Sequence, residues 1–342
     1  MNILKYISDK FTKHTVICVS VLLVVFSILI AKFVAAQLSE ESMNAMYFWK
    51  TTFKLNDWEK GFLKEHNVRK LYVRLFDVAV EYDFRNDSKS VVPIATTVFK
   101  ETPPEGIEIV PTVYITLEGL RYMRSMEELS DLIVKRVLAM SSYNNLGEIR
   151  EVQIDCDWTQ NVAEEYNELC RQMSTRLSES NIALTSTIRL HQIDGTVSTD
   201  VQGYVLMLYN AVSMANPATK NSILSYDDIH PYLTRKKKIK DFQKLLREND
   251  ISFSLALPTF SWGVIFQDGK YKRLVRNYKK ESPDTSKGEW MRIEECQYAE
   301  IMKVKKDARS AFDRTNTNIV IYHLDSLNLS RYSSDEIENI YN

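Results

Sequence analysis

Residues 153–158 read QIDCDW. Side chains along a β-strand alternate between two faces. Gln153, Asp155 and Asp157 therefore share one face, while Ile154, Cys156 and Trp158 share the other. A strand that is acidic on one face and apolar on the other fits a (β/α)8 barrel, because barrel enzymes place their functional side chains near the carboxyl ends of the strands. We therefore expect both aspartates to face the interior of such a barrel.

Segments with strand-like and helix-like patterns alternate along most of the chain. The eight strand candidates are Met46–Lys50, Lys70–Val80, Ile107–Thr116, Glu151–Trp158, Ile182–His191, Gly203–Asn210, Ile251–Phe260 and Asn318–Leu324. The helix candidates are Trp58–His66, Met126–Ser141, Val162–Ser178, Tyr226–Asn249, Met291–Phe312 and Asp335–Tyr341. This alternation favours parallel strands joined by crossover helices. A count of eight strands predicts the α/β class and a closed (β/α)8 TIM barrel.

Two connections depart from the regular alternation. Phe84–Gly106 contains three prolines and little helical periodicity, which predicts that a regular second helix is missing. Gln267–Trp290 is long and polar, and it contains Asp268-Gly269, a hairpin-type turn signal. We expect this second segment to form an insertion at the carboxyl-end face of the barrel, where long loops shape specificity.

The amino-terminal part of the chain has the pattern of a membrane segment. Thr15–Ala31 is uncharged and mostly apolar, and Lys5, Lys10 and Lys13 precede it. That order predicts an amino terminus in the cytoplasm and export of everything that follows. The predicted regions are a cytoplasmic stretch (1–14), a transmembrane anchor or signal segment (15–36), a linker (37–44) and the barrel (45–342). The protein would then be a single-pass membrane protein of the cell envelope, or be secreted after cleavage near Ala36.

Composition excludes several classes of function. A formal net charge of -1 gives no electrostatic basis for binding nucleic acid. None of the nine glycines stands in a phosphate-binding pattern, so no nucleotide cofactor is predicted. Cys156, Cys170 and Cys296 lack the spacing of a zinc site, and we expect small buried thiols with no required disulfide. Nothing in the sequence indicates the oligomeric state.

Polar and aromatic residues gather at the predicted carboxyl ends of the strands. The predicted substrate-binding residues are Trp49, Arg74, Asp77, Trp158, Arg189, His191, Tyr209, Asn210 and Trp262. Aromatic rings pack against the flat C–H faces of sugars, and polar groups beside them bind hydroxyls, so this set predicts a carbohydrate ligand. Asp155 and Asp157 are the predicted catalytic residues, because two neighbouring carboxyl groups can divide into acid and base. Asp77 and Asp325 are candidates for a further catalytic carboxyl group.

Other interpretations of the same residues stay open. The aspartates could form architectural ion pairs with Arg74 or Arg189 inside the barrel. A divalent-metal site built from Asp155, Asp157 and His191 is a weaker alternative, since no ligand spacing beyond that cluster supports it. The basic run Arg235–Lys240 lies in a helical stretch and predicts a solvated helix face.

Several of these segments together resemble an uncharacterised family of exported bacterial barrel proteins. The resemblance covers roughly residues 45–323, and its segments are 47–51, 71–78, 153–159, 187–192, 207–210 and 256–264. It implies a barrel fold and export, and it assigns no reaction.

A more distant resemblance is to the family 18 glycoside hydrolases, the chitinase-like barrels. Asp155 and Asp157 match the last two aspartates of that family's strand-four pattern D-x-x-D-x-D-x-E. Met207 and Tyr209 match the first and third residues of its strand-six Met-x-Tyr-Asp. Thr159 stands where the family has its catalytic glutamate, and Asn210 stands where it has the strand-six aspartate. The resemblance implies a glycan-active barrel in which the chitinase mechanism is lost or moved. The resemblance therefore predicts a glycoside hydrolase or, alternatively, a non-catalytic carbohydrate-binding barrel.

Overall fold

A computed structural model describes residues 44–85, 87–123, 125–276, 278–312 and 317–342. The predicted cytoplasmic stretch, membrane segment and nearly all of the predicted linker lie outside the described residues. Among the helices of the described residues, none is both long and apolar enough to cross a membrane.

The described chain contains fourteen strands. They are β1 (Asn44–Phe48), β2 (Thr52–Phe53), β3 (Val68–Asp83), β4 (Ser88–Ile94), β5 (Val98–Phe99), β6 (Glu108–Ile115), β7 (Glu151–Cys156), β8 (Ala183–Arg189), β9 (Gly203–Met207), β10 (Ser252–Pro258), β11 (Ser261–Gln267), β12 (Lys270–Val275), β13 (Glu289–Glu295) and β14 (Asn318–Tyr322). Eight of them, β1, β3, β6, β7, β8, β9, β10 and β14, pair in parallel in that order, and β14 returns to β1 to close a barrel. The predicted (β/α)8 architecture is confirmed, and each barrel strand overlaps one of the eight predicted strands.

Nine α-helices lie in the described part of the chain. They are α1 (Asp57–Glu65), α2 (Leu117–Tyr122), α3 (Met126–Tyr143), α4 (Ala163–Ser178), α5 (Tyr226–Leu233), α6 (Lys236–Glu248), α7 (Tyr298–Ala311), α8 (Ser326–Leu329) and α9 (Ser334–Tyr341). Most of them begin with side-chain caps: Asn56 and Glu59, for example, form a reciprocal capping box at the start of α1.

Two helix predictions were wrong in detail. The predicted helix Tyr226–Asn249 is two helices, because the chain leaves helical geometry at Arg235, four residues after Pro231. The predicted helix Met291–Phe312 begins only at Tyr298, and residues 291–295 belong to β13. The apolar and charged residues of 289–295 follow no strict period of two, so the segment suits a helix as well as a strand, and pairing with β11 selects the strand.

The second helix of a regular barrel is replaced by extended chain. Residues 84–106 contain β4, which pairs antiparallel with the long end of β3, and β5, which pairs with β2. No helix occurs in the described residues of this segment, as the prolines predict.

The segment after β10 forms a separate three-stranded antiparallel sheet, in the order β12-β11-β13. The turn between β11 and β12 is Asp268-Gly269, and both residues have positive φ (53° and 73°). That geometry is the tight hairpin turn that the sequence predicts, and glycine adopts it without steric cost. We call β11–β13 the insertion.

The barrel has an apolar outer layer and a polar interior. On β7, Ile154 and Cys156 are buried on the outer side against the helices, whereas Gln153 and Asp155 face inward. Tyr47 on β1 donates a 2.8 Å hydrogen bond to Gln153 Oε1 across the interior. The predicted inward orientation of Asp155 is thereby confirmed. Cys156, Cys170 and Cys296 are buried free thiols.

Candidate functional site

The polar site lies at the carboxyl ends of β7 and β8. We define the mouth as the carboxyl end of the barrel around Trp49, Asp157, Arg189 and Trp262. Arg189 is the last residue of β8, and its Nε donates a 2.6 Å hydrogen bond to Asp157 Oδ1. The Asp157 side chain is 48% exposed, so this ion pair stands at the solvent-facing edge of the mouth.

Asp155 lies one pleat below that pair and is almost fully enclosed. Its side chain is 4% exposed, Thr187 Oγ1 donates a 2.6 Å hydrogen bond to its Oδ1, and Arg189 Nη2 is 3.9 Å from the same oxygen. Burial raises the pKa of Asp155 to about 6, although the positive charge of Arg189 lowers it, and the neighbouring Asp157 raises it further. Asp155 is therefore a carboxyl group that still holds a proton under mildly acidic conditions.

This pKa shift predicts a pH dependence of stability. A raised carboxyl pKa means that the native state binds the proton more readily than the unfolded state between about pH 4 and pH 6, so stability falls as pH rises through that window. Asp155→Asn removes this contribution and leaves an amide oxygen for Thr187. We expect the variant to gain stability relative to the wild type from pH 4 to pH 7, by at most about 1.4 kcal/mol per pH unit. Urea unfolding of both proteins at several pH values measures this difference, and a difference that does not vary with pH would show that Asp155 is ionised throughout.

A second arginine–aspartate pair lies on β3. Arg74 Nε donates a 2.6 Å hydrogen bond to Asp77 Oδ1, and Arg74 Nη2 donates to Oδ2, which makes the contact bidentate. A strict period of two places residues 74 and 77 on opposite faces. A β-bulge between Arg74 and Phe76 adds one residue to β3, so that both side chains share one face. Thr97 stabilises the bulge, because its Oγ1 donates to Arg74 O and its N–H donates to Leu75 O.

Aromatic rings connect the two pairs. Arg74 lies over the ring of Trp49 (5.7 Å), and Arg189 lies over the ring of Tyr209 (5.7 Å). Tyr322 on β14 contacts both rings, at centroid distances of 5.9 Å from Trp49 and 5.3 Å from Tyr209. Sequence reasoning missed Tyr322, although its place at the end of the eighth barrel strand could have indicated it.

The insertion adds an aromatic residue to this group. Trp262 on β11 lies 5.0 Å from Phe260, which contacts both Tyr209 and Tyr322. Its indole Nε1 donates a 2.7 Å hydrogen bond to Glu294 Oε2. Glu294 on β13 is fully buried and also accepts hydrogen bonds from Ser222 and Arg292, so it fixes the orientation of the tryptophan. Glu294 was not predicted, because its segment was assigned to a helix.

Buried polar atoms without partners surround Asp155. Tyr209 Oη, Arg189 Nη1 and Gln153 Nε2 have no hydrogen-bond partner within the described residues. Unsatisfied polar groups are costly in a protein interior and are normally paired with protein, water or ligand. These three atoms therefore mark the interior around Asp155 as a place where buried water would complete the hydrogen bonding.

The structure does not bring every predicted residue to the mouth. Trp158 is buried (2% exposed) and stacks on Tyr166 of α4 at 5.7 Å, on the helix side of the barrel. Asn210 is exposed, adopts a positive φ of 54° and donates its backbone N–H to Ile223 O. Asp325 caps α8 by accepting from Asn328 N.

His191 lies just beyond the end of β8, close to Asp157. Partial burial lowers its pKa, while the charge of Asp157 acts in the opposite direction. No group of three or more His, Cys, Asp or Glu side chains among the described residues has an arrangement that could hold a metal ion. The geometry thus gives no support to the alternative metal site at Asp155, Asp157 and His191.

Thr159 follows the end of β7 and precedes the short turn into α4. Its hydroxyl oxygen is buried and has no hydrogen-bond partner within the described residues. A threonine hydroxyl does not supply the proton-donating carboxyl group that the resemblance places at this position.

Comparisons with known proteins show the fold. No protein-family model matches the sequence, and no curated protein matches it. Among solved structures, the chain is similar to catalytic domain 2 of the group II chitinase from Ostrinia furnacalis, solved as a mutant in complex with an N-acetylchitooligosaccharide. The TM-score is 0.52 and the identity 8%, over 87% of this chain and 95% of that chain. The C-terminal domain of a candidate chitinase from Desulfitobacterium hafniense is similar with a TM-score of 0.50 and 10% identity, over 87% of this chain and 97% of that chain. The described chain therefore has the barrel fold of chitinase-like structures.

Proposed function

We propose that the barrel binds a glycan at its mouth and does not cleave it. The observation that carries this proposal is that every aspartate of the site is already engaged. Asp77 is held by Arg74, Asp157 by Arg189, and Asp155 by Thr187 beneath Arg189. The Asp77 and Asp157 oxygens that accept these short hydrogen bonds are occupied by arginine and are not turned toward a leaving group.

The aromatic residues supply the binding surface in this proposal. Trp49 and Trp262 are half-buried, so each presents part of its ring at the mouth. Rigid rings bind the C–H faces of sugars with little loss of conformational entropy, and the polar groups of Asp157 and Arg189 bind hydroxyls or amides between them. The fold shared with a chitinase domain solved with an oligosaccharide supports a carbohydrate as the ligand.

A glycoside hydrolase is the second candidate, and the raised pKa of Asp155 favours it. A carboxyl group with a pKa of about 6 is suited to general acid catalysis near neutral pH. Its position argues against that role, because the nearly complete enclosure of Asp155 under the Arg189–Asp157 pair keeps a glycosidic oxygen out of hydrogen-bond reach.

Binding of N-acetylchitooligosaccharides, measured by calorimetry with wild type and two variants, tests the proposal. We expect Trp262→Ala to weaken binding about tenfold or more, since about 1.4 kcal/mol is a reasonable contribution for one aromatic platform. Asp157→Asn should weaken binding while costing at most about 1 kcal/mol of stability, because the Asp157 side chain is 48% exposed. Exposed Trp290→Ala on the insertion is the matched control and should leave affinity unchanged. Unaltered affinity in both mouth variants would refute the proposed site.

We further propose that the barrel functions outside the cytoplasm, joined to the membrane by residues 15–36 or secreted after cleavage near Ala36. The three lysines before the apolar run support this orientation. Alkaline phosphatase fused after Asn342 should be active if the barrel is exported. An inactive fusion from a stable product would contradict export.

A further inference from the structure

The outward side of α6 and the residue before it form a strongly basic surface. Residues 235–248 contain seven basic side chains and two acids, Asp241 and Glu248. The basic residues are Arg235, Lys236, Lys237, Lys238, Lys240, Lys244 and Arg247, all exposed. We call this set the basic face of α6.

The stability of α6 does not explain this charge. The helix is held to the barrel by Ile239, Phe242 and Leu246, which are buried. Lysines at its first turn oppose the helix dipole, and lysines four residues apart, such as Lys236 and Lys240, repel one another. The described helices α1, α3, α4, α5, α7 and α9 all carry acids in their first turn, whereas α6 has none there. A local arrangement that costs stability is expected where a surface has a function.

Most lysines of the basic face of α6 are also free to contact a ligand. Lys236, Lys237 and Lys240 form no ion pair with any residue in the described ranges, and Lys244 has only Glu248 at 3.6 Å. Because the overall formal charge is -1, the basic face is a local feature and not a consequence of a basic protein.

The basic face lies beside the mouth. Arg235 pairs with Asp194, and Lys238 Nζ donates to Asp194 O at 3.4 Å. Asp194 belongs to the short segment that leaves β8 at Arg189, and this segment is fixed to the mouth because Arg189 N donates to Gln192 Oε1 at 2.7 Å. The start of α6 is thus connected to the Arg189–Asp157 pair through five residues of well-packed chain.

We propose that the basic face of α6 binds an acidic polysaccharide whose neighbouring sugar units occupy the mouth. The inference rests on the proposed function and names the class of glycan. A row of exposed lysines without a pocket suits a ligand with repeating negative charges, because each ammonium acts as a separate point charge. An extended polymer reaches from the mouth along the helix, whereas a single small anion does not.

The chemistry of α6 favours a polysaccharide over an anionic membrane surface. Helices that lie in the membrane interface expose an apolar face that enters the lipid. The apolar side of α6 is buried against the barrel, and its exposed residues are charged or polar.

The test uses the full-length protein with polygalacturonate as the acidic polysaccharide, N-acetylchitohexaose as the neutral oligosaccharide and phosphatidylglycerol vesicles as the anionic membrane. The variant Lys236→Glu/Lys237→Glu/Lys240→Glu should bind polygalacturonate at least about tenfold more weakly than wild type at low salt, and this difference should shrink as salt increases. Its affinity for the neutral oligosaccharide should be unchanged, which separates failure of this inference from failure of the proposed function.

The matched control is Lys64→Glu/Lys89→Glu/Lys306→Glu, which makes the same change in net charge at exposed lysines elsewhere. It should retain at least half of the wild-type affinity for polygalacturonate. The inference would be overturned if both triple variants lost the same affinity for polygalacturonate. It would also be overturned if the wild-type protein bound the vesicles and did not bind polygalacturonate.

Discussion

Replacing Arg189 with methionine is expected to lower the free energy of unfolding by about 3–5 kcal/mol at pH 8. Methionine keeps much of the side-chain volume and removes the charge. Arg189 is the common partner of Asp155 and Asp157, so the variant leaves the buried Asp155 carboxylate without the arginine that pairs with it. A stranded buried charge is far more costly than the loss of a surface ion pair.

Arg189→Met should lower the free energy of unfolding by less in acid than at pH 8. Asp155 has a pKa raised to about 6 by its burial, so below that pH it takes up a proton and the stranded charge disappears. Urea unfolding at pH 8 and pH 5 measures both costs. Arg171→Met, which removes an exposed arginine paired with Glu168 on α4, is the control and should cost less than about 1 kcal/mol at either pH. A cost for Arg189→Met as small as that of the control would mean that the arginine does not hold the site together.

The second large effect is expected at Trp158. Trp158→Ala should cost about 3–5 kcal/mol of stability, because the ring is buried between the barrel and α4 and stacks on Tyr166. The residues around Trp158 cannot easily move to fill the cavity that the missing ring would leave. A Cβ placed on Gly195 would already lie 3.3 Å from the indole, which shows how closely the chain approaches it.

Trp158→Ala should leave the glycan affinity of the folded protein unchanged, since the ring lies on the outer side of β7. Trp262→Ala is the natural comparison and should give the reverse result, with weaker binding and a smaller loss of stability. Unfolding and calorimetry on both variants separate the two roles. Loss of affinity in Trp158→Ala at retained stability would restore Trp158 to the ligand-binding residues predicted from the sequence.

The barrel could be predicted because each of its strands has a local signal. Eight apolar or β-branched segments separated by helical patterns leave few other arrangements, and the acidic and apolar faces of 153–158 fixed which side points inward. That same alternation places Trp158 with Ile154 and Cys156 on the outer side, so its inclusion among the ligand-binding candidates ignored its own strand pattern. The burial of Ile154 agrees with the alternation, and Ile154→Ala is expected to cost about 2–5 kcal/mol.

The pairing of Arg189 with the strand-four aspartates was among the alternatives that the sequence left open, and the structure shows it. The pairing of Arg74 with Asp77 could not be predicted from the sequence. Arg74 and Asp77 meet only because a β-bulge adds a residue to β3, and bulges leave no reliable local signal. Glu294 orients Trp262 through a hydrogen bond between two strands of the insertion, and the sequence around it suits a helix as well as a strand. Tyr322 joins Trp49 to Tyr209 across the barrel, a contact set by closure of the sheet and not by neighbouring residues.

The most direct test of a barrel that binds glycan without cutting it is a product measurement on bound ligand. N-acetylchitohexaose would be incubated for a day with excess protein at pH 5 and pH 7, at a concentration where calorimetry shows saturation, and new reducing ends would be followed by mass spectrometry. Binding with no new reducing ends at either pH is the predicted result, because the aspartates of the site are held by Arg74, Arg189 and Thr187. Shorter oligosaccharides that accumulate with time in the wild type and are absent with Asp155→Asn would contradict the account and make Asp155 a catalytic acid.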